Sequence, residues 1–212
     1  MLAALIFAHP WIFQGLARQL IRDDPLQQAD FVVITGGDRR YDWVADQYAA
    51  RNVRKVLQFR SSPKRLYEFG VLPYPHEQAR AELIECGVDA EDIVFIDETA
   101  RNSWERADQL ERWMAERPDA TVAVVADRLG SGAVDEVFRQ AMSPEVYERI
   151  SIHSLRDRRY DESDWWKSRR GMKSFYGAAV SWLTVRLGGR PEYQYEDDWD
   201  PEEYERELMV DG

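Results

Sequence analysis

A chain of 212 residues with a hydrophobic share of 44% suits one domain with a sizeable buried core. Its net charge of −11 excludes a general nucleic-acid binder, which needs a basic surface. The single cysteine, Cys86, excludes an intramolecular disulfide and a thiolate metal cluster, and His9, His76 and His153 lack ligand spacing, so no metal site is expected.

The acidity is uneven. Residues 191–212 hold ten acids and one base, a charge of −9, which leaves −2 for everything before them. Residues 190–212 are therefore set apart as an acidic C-terminal tail with too little to bury to fold alone. At the other end, residues 1–22 are apolar first and amphipathic later, with His9-Pro10 between Leu2–Ala8 and Trp11–Phe13. The apolar run is shorter than the roughly 20 residues a membrane span needs. It reads as a core helix, an interfacial helix, or the end of a longer span.

The strongest element is Phe31–Ile34, four strand-favouring apolar residues that break at Gly36-Gly37-Asp38-Arg39 and pass into a helix over 41–50. A run with no polar face predicts a strand covered on both sides. Strand, glycine turn and helix bring backbone N–H groups close to a ligand, although a tight turn needs glycine for its dihedrals alone. A second strand over 53–59 leads into a long basic connection, Arg60–Pro75, of the kind often used as a lid. Residues 76–86 read as a helix closed by Gly87.

A third strand, Ile93–Ile96, ends in Asp97-Glu98-Thr99, and the spacing of Trp104, Ala107, Leu110 and Met114 predicts a helix beginning near Arg101. In that setting Thr99 suits an N-cap, and Asp97 and Glu98 suit the positive helix end. The fourth strand, Thr121–Ala126, ends in Asp127-Arg128, followed by a flexible turn through Gly132 and a short helix. A fifth strand, Ile150–Ser154, places His153 at its rim. Residues 155–163 are charged and loop-like, and 171–187 form a mostly apolar helix whose default role is core packing. Strands alternating with helices predict an α/β, three-layer Rossmann-like domain over 23–189, with a mainly parallel sheet and helices on both faces. In such sheets ligands bind outside the C-terminal strand ends, where the polar residues of this chain gather.

The segment Glu98-Thr99-Ala100-Arg101-Asn102-Ser103-Trp104-Glu105-Arg106, together with the Gly36-Gly37 turn, the strand ending at Asp127 and the Trp165-Trp166 segment, resembles the YdcF/SanA/ElyC group, a bacterial domain family of largely unassigned biochemical function. Glu98, Asn102 and Glu105 fit its motif; Ser103 replaces Thr and Arg106 replaces Asn, and the His and Arg usual after the Asp127 position are missing. The resemblance implies the cell envelope, inner-membrane-associated or periplasmic, with a cytoplasmic location as the alternative. It makes the N-terminal segment look like the remnant of a membrane anchor, and it implies a nucleoside-type ligand such as S-adenosylmethionine.

Two functions compete. In the first, the domain is an enzyme or binder of a small polar or phosphorylated molecule. Gly36, Gly37, Asp38, Arg39, Asn102, Ser103 and Glu105 line its ligand site, and Glu98 or Asp127 is the general base, a role that burial of a carboxylate favours. In the second, it is a non-catalytic envelope or interaction module that keeps the fold without the chemistry. Convergence of Glu98, Asn102 and Asp127 in one deep cleft favours the first; a filled rim with an exposed apolar face on the terminal helices favours the second.

Overall fold

The computed structural model describes residues 2–25, 27–35, 40–61, 67 and 72–190. The Gly36–Arg39 turn, much of the connection before Leu72 and the acidic tail from Pro191 lie outside the described residues. Five strands, β1 (Ala29–Ile34), β2 (Val53–Ser61), β3 (Ile93–Ala100), β4 (Val122–Asp127) and β5 (Ile150–Leu155), form one sheet. All pair in parallel, in the order β3-β2-β1-β4-β5. The helices are α1 (Leu2–Arg18), α2 (Tyr41–Ala49), α3 (Pro75–Glu85), α4 (Ser103–Ala115), α5 (Ser131–Ala141), α6 (Pro144–Tyr147) and α7 (Arg169–Arg186).

The α/β reading of the sequence holds, and β1 takes the central position that its wholly apolar run demands. Alternate residues of each strand feed two cores. Val33, Leu57, Val124 and Ile152 meet α4, α5 and α6 on one face, through Leu110, Met114, Phe138 and Val146, with Val185 of α7 joining them. On the other face Val32, Val56 and Val125 meet α2 and α3 through Val44 and Leu83.

The chain departs from the sequence reading where local pattern was a weak guide. β3 does not stop at Ile96. Its pairing with β2 shifts between Phe59 and Arg60 and resumes at Arg60↔Thr99 and Ser61↔Ala100, so Asp97 and Glu98 fall in a bulge. The Leu129–Gly132 stretch is no flexible turn: Arg128–Gly130 is a short 3-10 turn and α5 begins at Ser131. Gly132 sits there because a Cβ would stand 2.6 Å from the Leu20 carbonyl oxygen, to which its own N–H donates at 2.9 Å.

α1 is not a free appendage. Ala17 and Leu20 are buried in a third cluster with Leu129, Trp165 and Phe175, and Phe13, Ala179 and Trp182 pack around it. Trp165 stacks on Phe175 at a centroid distance of 3.7 Å and donates its indole N–H to the Phe13 carbonyl at 3.2 Å. Gly171 permits this approach, since a Cβ there would meet the Trp165 carbonyl oxygen at 2.3 Å. Among the described residues no helix is long and apolar enough to cross a membrane.

β5 is an edge strand, and the link between α1 and β1 covers it. The Asp24 N–H donates to the Ile152 carbonyl at 2.8 Å, and the Asp24 and Asp23 carboxylates accept from the Ile152 and Ser154 N–H groups, each at 2.9 Å. Side-chain oxygens here satisfy backbone donors that an open edge would present to another chain.

His153 is not the rim residue expected. It lies within β5, 4% exposed, bonded to the Ser151 hydroxyl at 2.9 Å and facing the Trp43 ring. Burial pushes its pKa down, against the opposing pull of Asp23 and Asp24. A histidine depressed in the folded state favours folding above its unfolded value of about 6.5 and opposes it as pH falls toward the folded value. Acidification through that window is expected to lower the urea midpoint, with a slope of at most about 1.4 kcal/mol per pH unit. His153→Gln flattens that slope if the assignment is right; an unchanged profile assigns the acid sensitivity elsewhere, His76 included.

Candidate functional site

Successive connections from β1 lead to α2 on one face, while those from β4 lead to α5 on the other, so the strand order reverses between β1 and β4. The two strands stay joined to their ends: Thr35 donates from its N–H at 2.8 Å and its hydroxyl at 3.1 Å to the Val125 carbonyl. Beside this point a cleft of about 510 Å³ opens outside the C-terminal ends of β4 and β5. The strand ends supply Asp127 and Arg128, the loop after β5 supplies Asp157, Arg159, Tyr160 and Asp161, and the first turns of α7 supply Arg170, Lys173 and Ser174.

Arg128 builds the floor. Its guanidinium forks onto Glu162 at 2.7 and 2.8 Å, and also reaches the Ser154 hydroxyl at 3.0 Å and Asp23 at 3.3 Å. The Arg128 and Glu162 side chains are only 18% and 11% exposed. The hydrogen bonds from Arg128 hold the Glu162 carboxyl below its ordinary range against the opposing effect of burial. On the loop, Arg159 forks onto Asp157 at 2.6 and 2.8 Å, which lowers the Asp157 pKa. Arg158 reaches Asp42 of α2 at 2.7 Å, so the loop bridges the sheet's C-terminal edge.

Internal pairing thus consumes Arg128 and Arg159. Arg170 and Lys173 differ: among the described residues neither has an ion-pair partner. They lie in the first turns of α7, where Ser168 accepts from the Gly171 N–H at 2.9 Å and the helix's own first turn carries no acid. Tyr160 and Ser174 line the same wall, and burial raises the Tyr160 pKa against the opposing effect of the Ser174 hydroxyl.

The residues singled out in the sequence separate into three groups. Asp127 lines the cleft. Gly36, Gly37, Asp38 and Arg39 lie outside the described residues. Glu98, Asn102, Ser103 and Glu105 stand elsewhere: β3 is the opposite edge strand, and β2 and β1 separate it from β4. At the usual strand spacing that is roughly 14 Å. The single cleft expected to hold Glu98, Asn102 and Asp127 is therefore not formed by the described residues.

Glu98 is 59% exposed and paired with Arg112 of α4, without the burial on which its proposed role as base rested. Asn102, rather than Thr99, caps α4: its side-chain oxygen accepts from the Glu105 N–H at 2.9 Å, and Glu105 accepts from the Arg101 N–H at 2.7 Å. Ser103 is the exposed first residue of that helix. The motif segment thus has a complete local explanation as a helix start.

Sequence reasoning missed Tyr160, Arg170, Lys173 and Ser174. A signal was present: Arg169-Arg170 opens a helix, where the macrodipole favours acids, and that mismatch asks for a compensating anion. A smaller hollow of about 380 Å³ lies between Arg60, His76, Arg80 and Phe95. Arg60 there already pairs with Asp97 at 3.2 Å and lies over the Phe95 ring.

Two substitutions test these assignments. Asn102→Ala is expected to cost about 1 kcal/mol of stability by urea unfolding, the usual loss of an N-cap; no loss means that the cap contributes nothing. Glu162→Gln is expected to cost about 3 kcal/mol at neutral pH, the low end for breaking a buried pair, because both partners keep some water contact. Since the Glu162 pKa is depressed in the folded state, the stabilisation is present above its unfolded value, about 4.3, and fades as pH falls through the folded value. The gap between variant and parent should close in that acid window, and a gap that persists there assigns the loss to packing.

No family model matches the chain, and no match was found among curated proteins or solved structures, so its function is read from the geometry of its own site.

Proposed function

We propose that this chain is a ligand-binding α/β domain that takes a small polar molecule with an anionic group, a phosphate or carboxylate, in the cleft beside Asp127 and Arg128. The observation that carries this is the pair Arg170 and Lys173, two cations with no acidic partner among the described residues, at the wall of a cleft on the sheet's C-terminal edge. A bound anion would neutralise both and complement the N-terminal end of α7. Tyr160 and Ser174 add hydroxyls that orient the rest of the ligand. A cleft of about 510 Å³ has room for a nucleotide or a nucleoside such as S-adenosylmethionine.

Binding without turnover is the favoured form. Of the two alternative candidates for a general base, Glu98 is exposed and paired with Arg112, away from the cleft that Asp127 lines, and the terminal helices expose an apolar face. Membership of the YdcF/SanA/ElyC group is likewise a proposal; it rests on the motif residues, of which Asn102 and Glu105 serve as a helix cap.

Thermal-shift and calorimetric titrations with pyrophosphate, ATP and S-adenosylmethionine test the site. At least one is expected to stabilise the protein. Arg170→Gln and Lys173→Gln are each expected to weaken it about tenfold or more, the worth of a charge-assisted hydrogen bond. Binding that survives the double substitution, or no stabilisation by any of the three, overturns the proposal.

A further inference from the structure

We infer that α7, flanked by α1, is a membrane-surface docking face that lies in the plane of an anionic lipid bilayer. Of the apolar residues of α7, Phe175, Ala178, Ala179, Trp182 and Val185 pack inward. Met172, Tyr176, Val180, Leu183 and Leu187 follow at spacings of three and four and form a separate outward stripe. Val180 is 64% exposed and Leu187 78%. α1 also exposes Trp11, Ile12 and Leu16, with Trp11 79% exposed, and its inward residues share the cluster around Trp165 with those of α7. Five large apolar side chains along one outward stripe of α7 mark an interaction surface.

Charge selects the occupant. Neither helix contains an acidic residue; their charges are Arg18, Arg169, Arg170, Lys173 and Arg186, in a chain whose net charge is −11. Helical spacing places Arg169 at one end of the stripe and Lys173 and Arg186 along its two sides. Arg186 also lies over the Trp182 ring, 4.9 Å from its centroid. An apolar stripe with aromatic residues and a basic border matches an interfacial helix on anionic headgroups. A second copy docked face to face would set the same cations against one another, which disfavours a symmetric dimer here. No described helix suits a crossing, so contact is along the surface. With a rise of about 1.5 Å per residue, the stripe presents roughly 25 Å of helix to the headgroups.

The test is flotation of the full chain with vesicles of phosphatidylcholine alone, or of phosphatidylcholine and phosphatidylglycerol in equal parts. The parent is expected to float with the anionic vesicles, with a blue shift of tryptophan emission, and to dissociate at high salt. Val180→Glu with Leu183→Glu is expected to abolish flotation with an unchanged far-ultraviolet spectrum, because both positions are exposed. Arg169→Glu with Arg186→Glu is expected to weaken partitioning by at least about fivefold for each charge.

Four results overturn the inference. They are failure of the parent to float, equal flotation on phosphatidylcholine alone, flotation that survives the α7 substitutions, which would place the contact in the N-terminal residues of α1, and a concentration-dependent dimer that the same substitutions disperse in place of any vesicle binding. Because Val180 and Leu183 do not line the cleft, ligand binding there should be untouched, so failure of one proposal is distinguishable from failure of the other.

Discussion

The Arg128 guanidinium holds four parts of the chain in register. Through Glu162 it fixes the loop after β5, through Ser154 it fixes β5 itself, through Asp23 it fixes the link between α1 and β1, and its own backbone begins the turn into α5. A charge this deeply placed is costly unless nearly every donor is used, and here the fork onto Glu162 and the two further contacts use them. The carboxylates of the α1–β1 link serve two ends at once. Asp23 accepts from the Ser154 N–H and from Arg128, so the same short segment closes the edge of the sheet and neutralises the buried cation. Substituting either partner would therefore disturb the sheet edge and the cleft together. The pocket is consequently a product of the fold's electrostatics, since the loop that walls it is pinned by charge and has little apolar burial of its own.

The fold was legible because its strongest signals are redundant. β1, β4 and their flanking helices each carry period, length and breaker signals that agree, and agreement among levels specifies a parallel sheet without any tertiary information. The errors fall where a local pattern has two equally good solutions. Leu129–Gly132 reads as a flexible turn because two glycines and a serine usually mean one. What decides otherwise is the Leu20 carbonyl, 112 residues earlier in the chain, which a side chain at position 132 would strike. The extension of β3 past Ile96 depends on a bulge against β2 that the sequence of β3 does not encode.

The candidate site was legible in outline only. That polar strand ends gather on one edge follows from topology, and Asp127 lies there. Which polar residues share a cleft depends on strand order, and the order β3-β2-β1-β4-β5 sends the Glu98–Glu105 segment to the edge of the sheet opposite β5, three strand spacings from Asp127. Sequence adjacency and chemical type cannot supply that, because any order of the same five strands would satisfy the same periodicities. Asn102 and Glu105 show the hazard well. Their residue types suit ligand recognition, yet their spacing of three is also that of a reciprocal helix cap, and the local hydrogen bonds settle the choice.

α7 joins the two surfaces that matter. Its sequence is apolar over much of its circumference, which reads as a core-packing helix, but only part of that apolar surface has a partner. A helix that leaves Val180, Leu183 and Leu187 in water and opens with Arg169 and Arg170 contradicts two ordinary preferences, one hydrophobic and one electrostatic. Neither departure helps an isolated molecule. Each would be relieved by the partner proposed for it: an anion at the cleft for the N-terminal cations, and an apolar phase bordered by negative charge for the outer stripe. The two reliefs are compatible because they use different sides of one helix, with Lys173 at the boundary between them. Under both proposals, a ligand held by Lys173 would sit next to the headgroup layer, so the anion site and the lipid-facing stripe would meet at that one residue.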